Sequence, residues 1–260
     1  MELRPLGSTG IMVSPLGLGT VKFGRNEQVK YPHPFEIPDD KAVANLLTLA
    51  QELGINLLDT APAYGNCEER IGKLLPGRRE DWVIVSKVGE FFENGRSRFD
   101  FSYDTTLRTV EQSLRNLKTD YLDGVLIHSD GDDLRILEHE GVLDALRVLK
   151  EKGVIRSHGM SSKTVEGGLL AVEETDIVMA TCNLAYQDEM PVLEAAADKN
   201  KGLLIKKALQ SGSAGEAKGV AESLRFVFTQ AAGCCVIVGT ISSAHLRFDV
   251  MMTNSIVGDE

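Results

Sequence analysis

The chain has 260 residues and a mass of 28.3 kDa, and 43% of its residues are hydrophobic, which is enough to fill a sizeable core. It carries 28 lysines and arginines against 38 aspartates and glutamates, for a net charge of −10. This excess of negative charge disfavours nucleic acid and anionic membrane surfaces as partners. The apolar runs fall short of the roughly 20 residues that a membrane span needs. The first residues carry no secretory signal, so we expect a cytoplasmic protein.

The cysteines form no CxxC pair, and no histidine–cysteine cluster has the spacing of metal ligands. The four are Cys67, Cys182, Cys234 and Cys235. The sequence therefore predicts neither a disulfide scaffold nor a zinc site, and we expect no metal.

Short apolar segments alternate along the chain with longer amphipathic segments, the pattern of βα units. Runs rich in Val, Ile and Leu predict eight strands at 13–19, 55–58, 82–86, 122–127, 155–160, 177–182, 203–207 and 235–238. Helical periodicity predicts helices at 40–53, 67–75, 105–116, 136–152, 163–172, 192–198, 220–230 and 243–250.

The number of βα units indicates the architecture. The predicted strands are almost continuously apolar, as is typical of parallel strands buried on both faces. Eight units in about 250 residues favour an α/β fold of the (β/α)8 TIM-barrel type over a doubly wound sheet. A turn at 7–10 between short extended runs predicts a small N-terminal β-hairpin that closes the barrel bottom. No linker divides the chain, so we expect a single domain over 1–260.

Two of the predicted connections are long and rich in aromatic residues. Both follow strands, at 21–39 and 88–103, so both are expected at the C-terminal mouth of the barrel, where such enzymes place their sites. Their aromatic side chains either pack the loops onto the barrel or line a substrate pocket, for which the candidates are Phe23, Phe91 and Phe92.

Four residues with complementary chemistry follow three consecutive strands. Asp59, Lys87 and His128 each come directly after an apolar run, and Tyr64 lies in the turn after Asp59. A phenol has a pKa near 10 and needs a nearby cation to exchange protons well at neutral pH. Lys87 is a candidate for that cation, Asp59 for its counter-ion, and His128 for a hydrogen bond to a substrate oxygen.

These residues resemble the catalytic tetrad of the aldo-keto reductases, which are NAD(P)H-dependent (β/α)8 barrels. Asp59, Tyr64, Lys87 and His128 occur in the family's order, and the segment 59–69 (DTAPAYGNCEE) is similar to its signature. The resemblance covers nearly the whole chain. It implies hydride transfer from the reduced nicotinamide to an aldehyde or ketone, with Tyr64 as proton donor.

The resemblance also implies a set of cofactor contacts. The segment Gly-Met-Ser-Ser at 159–162 is similar to the one that holds the nicotinamide carboxamide, and the segment from Gly239 to His245 is similar to the loop that grips the adenosine phosphate. The implied cofactor-binding residues are Thr20, Ser161, Ser162, Met179, Lys207, Ala208, Gly239, Thr240 and His245. Met179 replaces a family glutamine, and Lys207 is aligned with an aromatic position. NADP(H) is the favoured cofactor. NAD(H) is an alternative, because the neutral His245 stands at a family arginine position and binds a 2′-phosphate less well than arginine does.

Two other functions are compatible with parts of this pattern. The protein could bind the cofactor as a redox-sensing subunit with little turnover, or Lys87 could form a Schiff base in a barrel aldolase. We expect a small carbonyl compound as substrate and a monomer or small homo-oligomer.

Overall fold

Eight parallel strands close into a barrel in the computed structural model, which describes residues 1–214 and 217–258. The barrel strands are β3 Leu16–Gly19, β4 Leu57–Asp59, β5 Val83–Val88, β8 Leu122–His128, β9 Ile155–Ser161, β10 Ile177–Thr181, β11 Gly202–Lys206 and β12 Cys235–Val238. Each strand pairs with the next in the chain, and β12 pairs with β3 to complete the ring. The predicted TIM barrel is confirmed.

Helices connect successive strands and pack on them, among them α3 on β5, α5 on β9 and α7 on β11. They are α1 Asp40–Glu52, α2 Cys67–Leu74, α3 Tyr103–Leu117, α4 Asp133–His139, α5 Val142–Glu151, α6 Val165–Glu174, α7 Met190–Asp198, α8 Ala217–Gln230 and α9 Ser243–Val257. Local capping fixes several starting points. The Asp39 carboxylate accepts a hydrogen bond from the Ala42 amide at the start of α1, and Ser242 accepts one from His245 at the start of α9.

The predicted N-terminal hairpin is present and fills one end of the barrel. It comprises β1 Arg4–Pro5 and β2 Met12–Val13. Leu6, Ile11 and Val13 are at most 1% exposed and pack with inward-facing residues of the barrel strands, including Leu57 and Met179. The hairpin therefore plugs the bottom and leaves the opposite end as the mouth.

Two predicted connections differ from the structure. The segment 136–152, predicted as one helix, is divided into α4 and α5 around Gly141. A Cβ atom at Gly141 would lie 2.8 Å from the backbone nitrogen of Tyr103, so only glycine allows this close approach. The segment 88–103, predicted as a loop, contains an antiparallel hairpin of β6 Glu90–Glu93 and β7 Arg96–Phe99.

Within the residues described, no helix has both the length and the apolar character needed to cross a membrane. The same residues contain no group of three or more His, Cys, Asp or Glu side chains arranged to hold a metal ion.

Candidate active site

An ion pair between neighbouring strands lies at the barrel mouth. Asp59 is the last residue of β4, and Lys87 lies near the end of β5; both side chains are buried. Lys87 Nζ donates a short hydrogen bond to the Asp59 carboxylate and a 3.0 Å bond to the Thr60 carbonyl oxygen. Two of the four predicted catalytic residues are therefore in direct contact, and the carboxylate fixes the position of the ammonium.

Tyr64 and His128 lie beside this ion pair. Lys87 Nζ is 4.9 Å from the centre of the Tyr64 ring. His128 ends β8, and its ring centre is 6.2 Å from that of Tyr64, with the two rings perpendicular. The structure thus brings the four predicted residues together at one end of the barrel.

The environment keeps Tyr64 in its protonated form. Burial raises the pKa of its phenol well above the ordinary value, and the carboxylates of Asp59 and Glu90 raise it further. A phenol that stays protonated at neutral pH is a proton donor rather than a base.

Glu90, which the sequence analysis did not identify, contacts the histidine of the site. It lies on β6, and its Oε2 is 2.9 Å from His128 Nδ1. Its other oxygen accepts hydrogen bonds from Ser97 (2.6 Å) and Arg25 (3.3 Å). Burial raises the pKa of Glu90, but the contacts with His128, Ser97 and Arg25 outweigh it and hold the pKa at about 2. A permanent negative charge therefore faces the imidazole.

The carboxylate of Glu90 acts against desolvation at His128. Burial lowers the pKa of His128, and Glu90 raises it, with the net result below the ordinary value. The Glu90 contact also places Nδ1 toward the hairpin and leaves Nε2 as the other nitrogen available for a substrate oxygen.

A second group of polar residues lies across the mouth, at the ends of β9 and β11. Lys206 Nζ donates hydrogen bonds to Ser161 Oγ at 2.9 Å and to the Ser162 carbonyl oxygen at 2.5 Å. The residue predicted to contact the cofactor is its neighbour, Lys207. That residue lies beyond the strand with a left-handed backbone (φ 57°), and its side chain is exposed. Lys206, one residue earlier, is the lysine at the mouth.

The other predicted cofactor contacts near the strand ends have varied surroundings. Met179 is buried in the barrel interior, in register with Ser161. The Thr20 hydroxyl donates a 2.9 Å hydrogen bond to the Asp59 carbonyl oxygen, and Ala208 is buried. Met179 thus lies beside Ser161 at the end of β9, and Thr20 bonds to Asp59 at the end of β4.

The predicted phosphate-binding loop precedes α9. Thr240 Oγ1 accepts a 3.1 Å bond from the Ser242 amide, and the His245 side chain is exposed on the first turn. The Tyr31 hydroxyl lies against Gly239, where a Cβ atom would be only 2.6 Å away. The long connection after β3 therefore reaches this loop.

The structure separates the three aromatic residues predicted for a substrate pocket. Phe91 and Phe92 lie on β6 and are partly exposed, and the guanidinium of Arg25 lies 3.5 Å from the centre of the Phe92 ring. A cavity of about 250 Å³ adjoins Phe92, lined by Gly24, Arg25, Asn26, Glu27, Gly65 and Phe92. Phe23 does not line this cavity, because its side chain is fully buried in the hydrophobic core.

The residues at the mouth are consistent with a nicotinamide cofactor. The Ser162 side chain is fully buried, and its Oγ has no hydrogen-bond partner among the described residues. A buried hydroxyl without a partner is costly, and a carboxamide would satisfy it. Ser161 and Ser162 would hold such a group.

Comparison with known proteins identifies the family. The model of the Aldo/keto reductase family matches residues 15–226. The chain is 31% identical to the uncharacterized oxidoreductase YqkF of Bacillus subtilis, over 82% of this chain and 70% of that protein. It is 28% identical to L-galactose dehydrogenase of Arabidopsis thaliana, over 82% of this chain and 66% of that protein.

A solved structure agrees in both sequence and fold. PA4992 of Pseudomonas aeruginosa, assigned to the aldo-keto reductases, is 55% identical with a TM-score of 0.89, covering 98% of this chain and 95% of that one. Together with the closed barrel and the family match, this similarity shows that the chain belongs to the aldo/keto reductase family of oxidoreductases.

Proposed function

We propose that this oxidoreductase reduces aldehydes or ketones to alcohols with NADPH, and that Tyr64 donates the proton. The observation that carries the proposal is the convergence of Asp59, Tyr64, Lys87 and His128 at the mouth. The bound cofactor supplies the hydride. The side chains of the chain align the carbonyl compound and move the proton.

Each residue has a distinct role in this proposal. Tyr64 donates its phenolic proton to the carbonyl oxygen as negative charge develops there. Lys87 lies 4.9 Å from the centre of the Tyr64 ring and stabilises the phenolate that is left. Asp59 holds Lys87 in place. His128, when protonated, faces Glu90 through Nδ1 and donates a hydrogen bond to the same substrate oxygen through Nε2.

The ion pair also bears on the aldolase alternative. A Schiff base needs a free amine, whereas Lys87 Nζ is bonded to the Asp59 carboxylate and to the Thr60 carbonyl oxygen. In that position it can stabilise the phenolate that Tyr64 leaves after donating its proton. The geometry therefore supports reduction rather than imine chemistry.

Turnover of NADPH with a panel of small aldehydes tests the proposal. We expect cofactor oxidation by the native protein and a loss of at least about a hundredfold in kcat for Tyr64→Phe, the usual size of a general-acid contribution. Tyr121→Phe is the matched control, because Tyr121 lies just before β8 at the closed end of the barrel. Cofactor binding without turnover above the Tyr64→Phe background would refute the reductase and leave the redox-sensing alternative.

The preference for NADPH is a separate part of the proposal. It is supported by His245 and Arg247, which are both exposed on the first turns of α9 beside the predicted phosphate loop. Fluorescence titrations with NADPH and NADH check it, with tighter binding of NADPH expected. Equal affinities would show that α9 does not recognise the 2′-phosphate.

A further inference from the structure

A positive charge lies in the half of the mouth that holds Ser161 and Ser162. Lys206 ends β11, and only part of its side chain reaches solvent. Its ammonium donates to the Ser161 hydroxyl and to the Ser162 carbonyl oxygen, both of which are neutral acceptors. The charge is therefore oriented by these bonds without being neutralised by them.

The same bonds determine which way Ser161 can donate. Because Ser161 Oγ accepts from Lys206, its own hydrogen is directed to another acceptor. The neighbouring Ser162 hydroxyl is fully buried and has no partner among the described residues. The Ser161 hydroxyl beside the ammonium and the unpartnered hydroxyl of the next residue, Ser162, provide polar groups for a ligand that offers a carbonyl oxygen and an amide.

The reduced and oxidised dinucleotides differ in one feature that a nearby charge can detect. They share the adenosine, the phosphates and both riboses, whereas the oxidised nicotinamide ring carries a positive charge and the reduced ring is uncharged. Contacts with the shared parts affect the two forms alike. A cation near the nicotinamide disfavours only the oxidised form.

We propose that Lys206 orients Ser161 and Ser162 and makes this mouth bind the reduced nicotinamide more tightly than the oxidised one. The inference rests on the proposed function, because it takes Ser161 and Ser162 as the residues that hold the carboxamide. Lys206 is a positioning and selectivity residue in this scheme, acting through the two serines and through its charge.

The discrimination depends on pH because Lys206 loses its charge near neutrality. Burial lowers the pKa of Lys206 to about 7. Nearby carboxylates, Glu189 and Asp133, raise this pKa. Nearby lysines, Lys207 and Lys163, lower it. His128 also feels the charge of Lys206 from across the mouth. The ammonium predominates below pH 7 and is lost as the pH rises, so the preference for the reduced form is largest in mildly acidic solution.

Calorimetric titration of the full-length protein with NADPH and with NADP⁺ tests this inference. At about pH 6 we expect the ratio of the NADP⁺ to the NADPH dissociation constant to be at least roughly tenfold larger in the native protein than in Lys206→Met, as for a like charge a few ångströms away. At about pH 8.5 the two ratios converge. Lys73→Met is the control, because it removes an exposed charge on α2 that pairs with Asp40, and it should leave the ratio unchanged.

Proton release provides a second measurement that needs no variant. Titrations near pH 7 in buffers of different ionisation enthalpy should show more protons released on NADP⁺ binding than on NADPH binding, because the oxidised ring expels the proton of Lys206. Equal proton release together with a pH-independent ratio in the native protein would overturn the inference while leaving the reductase intact. Failure of both dinucleotides to bind would refute the proposed function itself.

Discussion

The two halves of the barrel mouth hold their charges differently. At the ends of β4, β5 and β8 each charge faces an opposite one: Lys87 contacts Asp59, and His128 contacts Glu90. At the ends of β9 and β11, Lys206 rests on the neutral oxygens of Ser161 and Ser162.

One end of the barrel therefore combines a charge with an opposite partner and a charge without one. In the first half, the Lys87 ammonium and the Asp59 carboxylate are buried in direct contact, and each compensates the charge of the other. Neutral partners do not offset the cost of burying an ammonium, and the pKa of Lys206 falls to about 7. The half that carries the proton donor therefore contains a buried ion pair, and the half predicted to hold the nicotinamide contains an ammonium whose charge depends on pH.

Breaking the Lys87–Asp59 pair should have the largest effect. Lys87→Met leaves the buried Asp59 carboxylate without its partner, so we expect a loss of about 3 kcal/mol or more in the free energy of unfolding. We also expect at least a hundredfold lower kcat, since Tyr64 loses its neighbouring cation. Urea unfolding and steady-state rates measure both. Lys73→Met, which breaks the exposed contact with Asp40, should leave stability and rate unchanged; equal losses in the two variants would contradict the importance of burial.

A buried histidine in the middle of β9 should make the barrel sensitive to acid. Burial lowers the pKa of His158 on β9 to about 4, although nearby Asp176 opposes this. Below its ordinary pKa of about 6.5 the unfolded chain takes up a proton that the folded one refuses, so stability falls as the pH drops from about 6.5 to 4. His158→Gln should remove about 3 kcal/mol of this dependence. Parallel stability–pH curves for the two proteins would exclude His158 as the cause.

Removing the charge of Glu90 should give the smallest effect, and it tests whether this carboxylate tunes His128. Glu90 raises the pKa of His128, so Glu90→Gln lowers it, and the protonated histidine disappears at lower pH. We expect the alkaline limb of the kcat/KM profile for reduction to move down by roughly one pH unit, with a tenfold loss at neutrality. Glu93→Gln, at the exposed end of the same strand, is the control. An unchanged profile in Glu90→Gln would show that the carboxylate does not tune His128.

Much of the fold follows from apolar patterning. Every residue of β5 and β10 is buried, and such uninterrupted burial explains why continuous apolar runs predicted the strands well. The division of 136–152 at Gly141 depends on the approach of Tyr103 from a different part of the chain. Periodicity within one segment carries no information about that contact.

The tetrad could be predicted because its members lie at or just after strand ends. Its supporting residues depend on the hairpin after β5 and on the strand register, which apolar patterning does not reveal. Glu90 reaches His128 only because the connection after β5 folds into a hairpin. Lys206 and Lys207 are adjacent in sequence, and only the strand register shows that Lys206 is still paired, opposite Thr181. A shift of one residue moves a side chain to the other face of a strand.

The pairing of β3 with β12 has a consequence for how the chain acquires its structure. The first barrel strand stays without one of its neighbours until the last is made, because Leu16 pairs with Val236. The N-terminal hairpin also depends on late segments of the chain, because Leu6 packs in one cluster with Ile177 and Leu204. Contacts between such distant segments form slowly, so a nascent chain that lacks β12 exposes a strand edge and an unfilled interior. The ring of strands is therefore complete only when β12 has paired with β3.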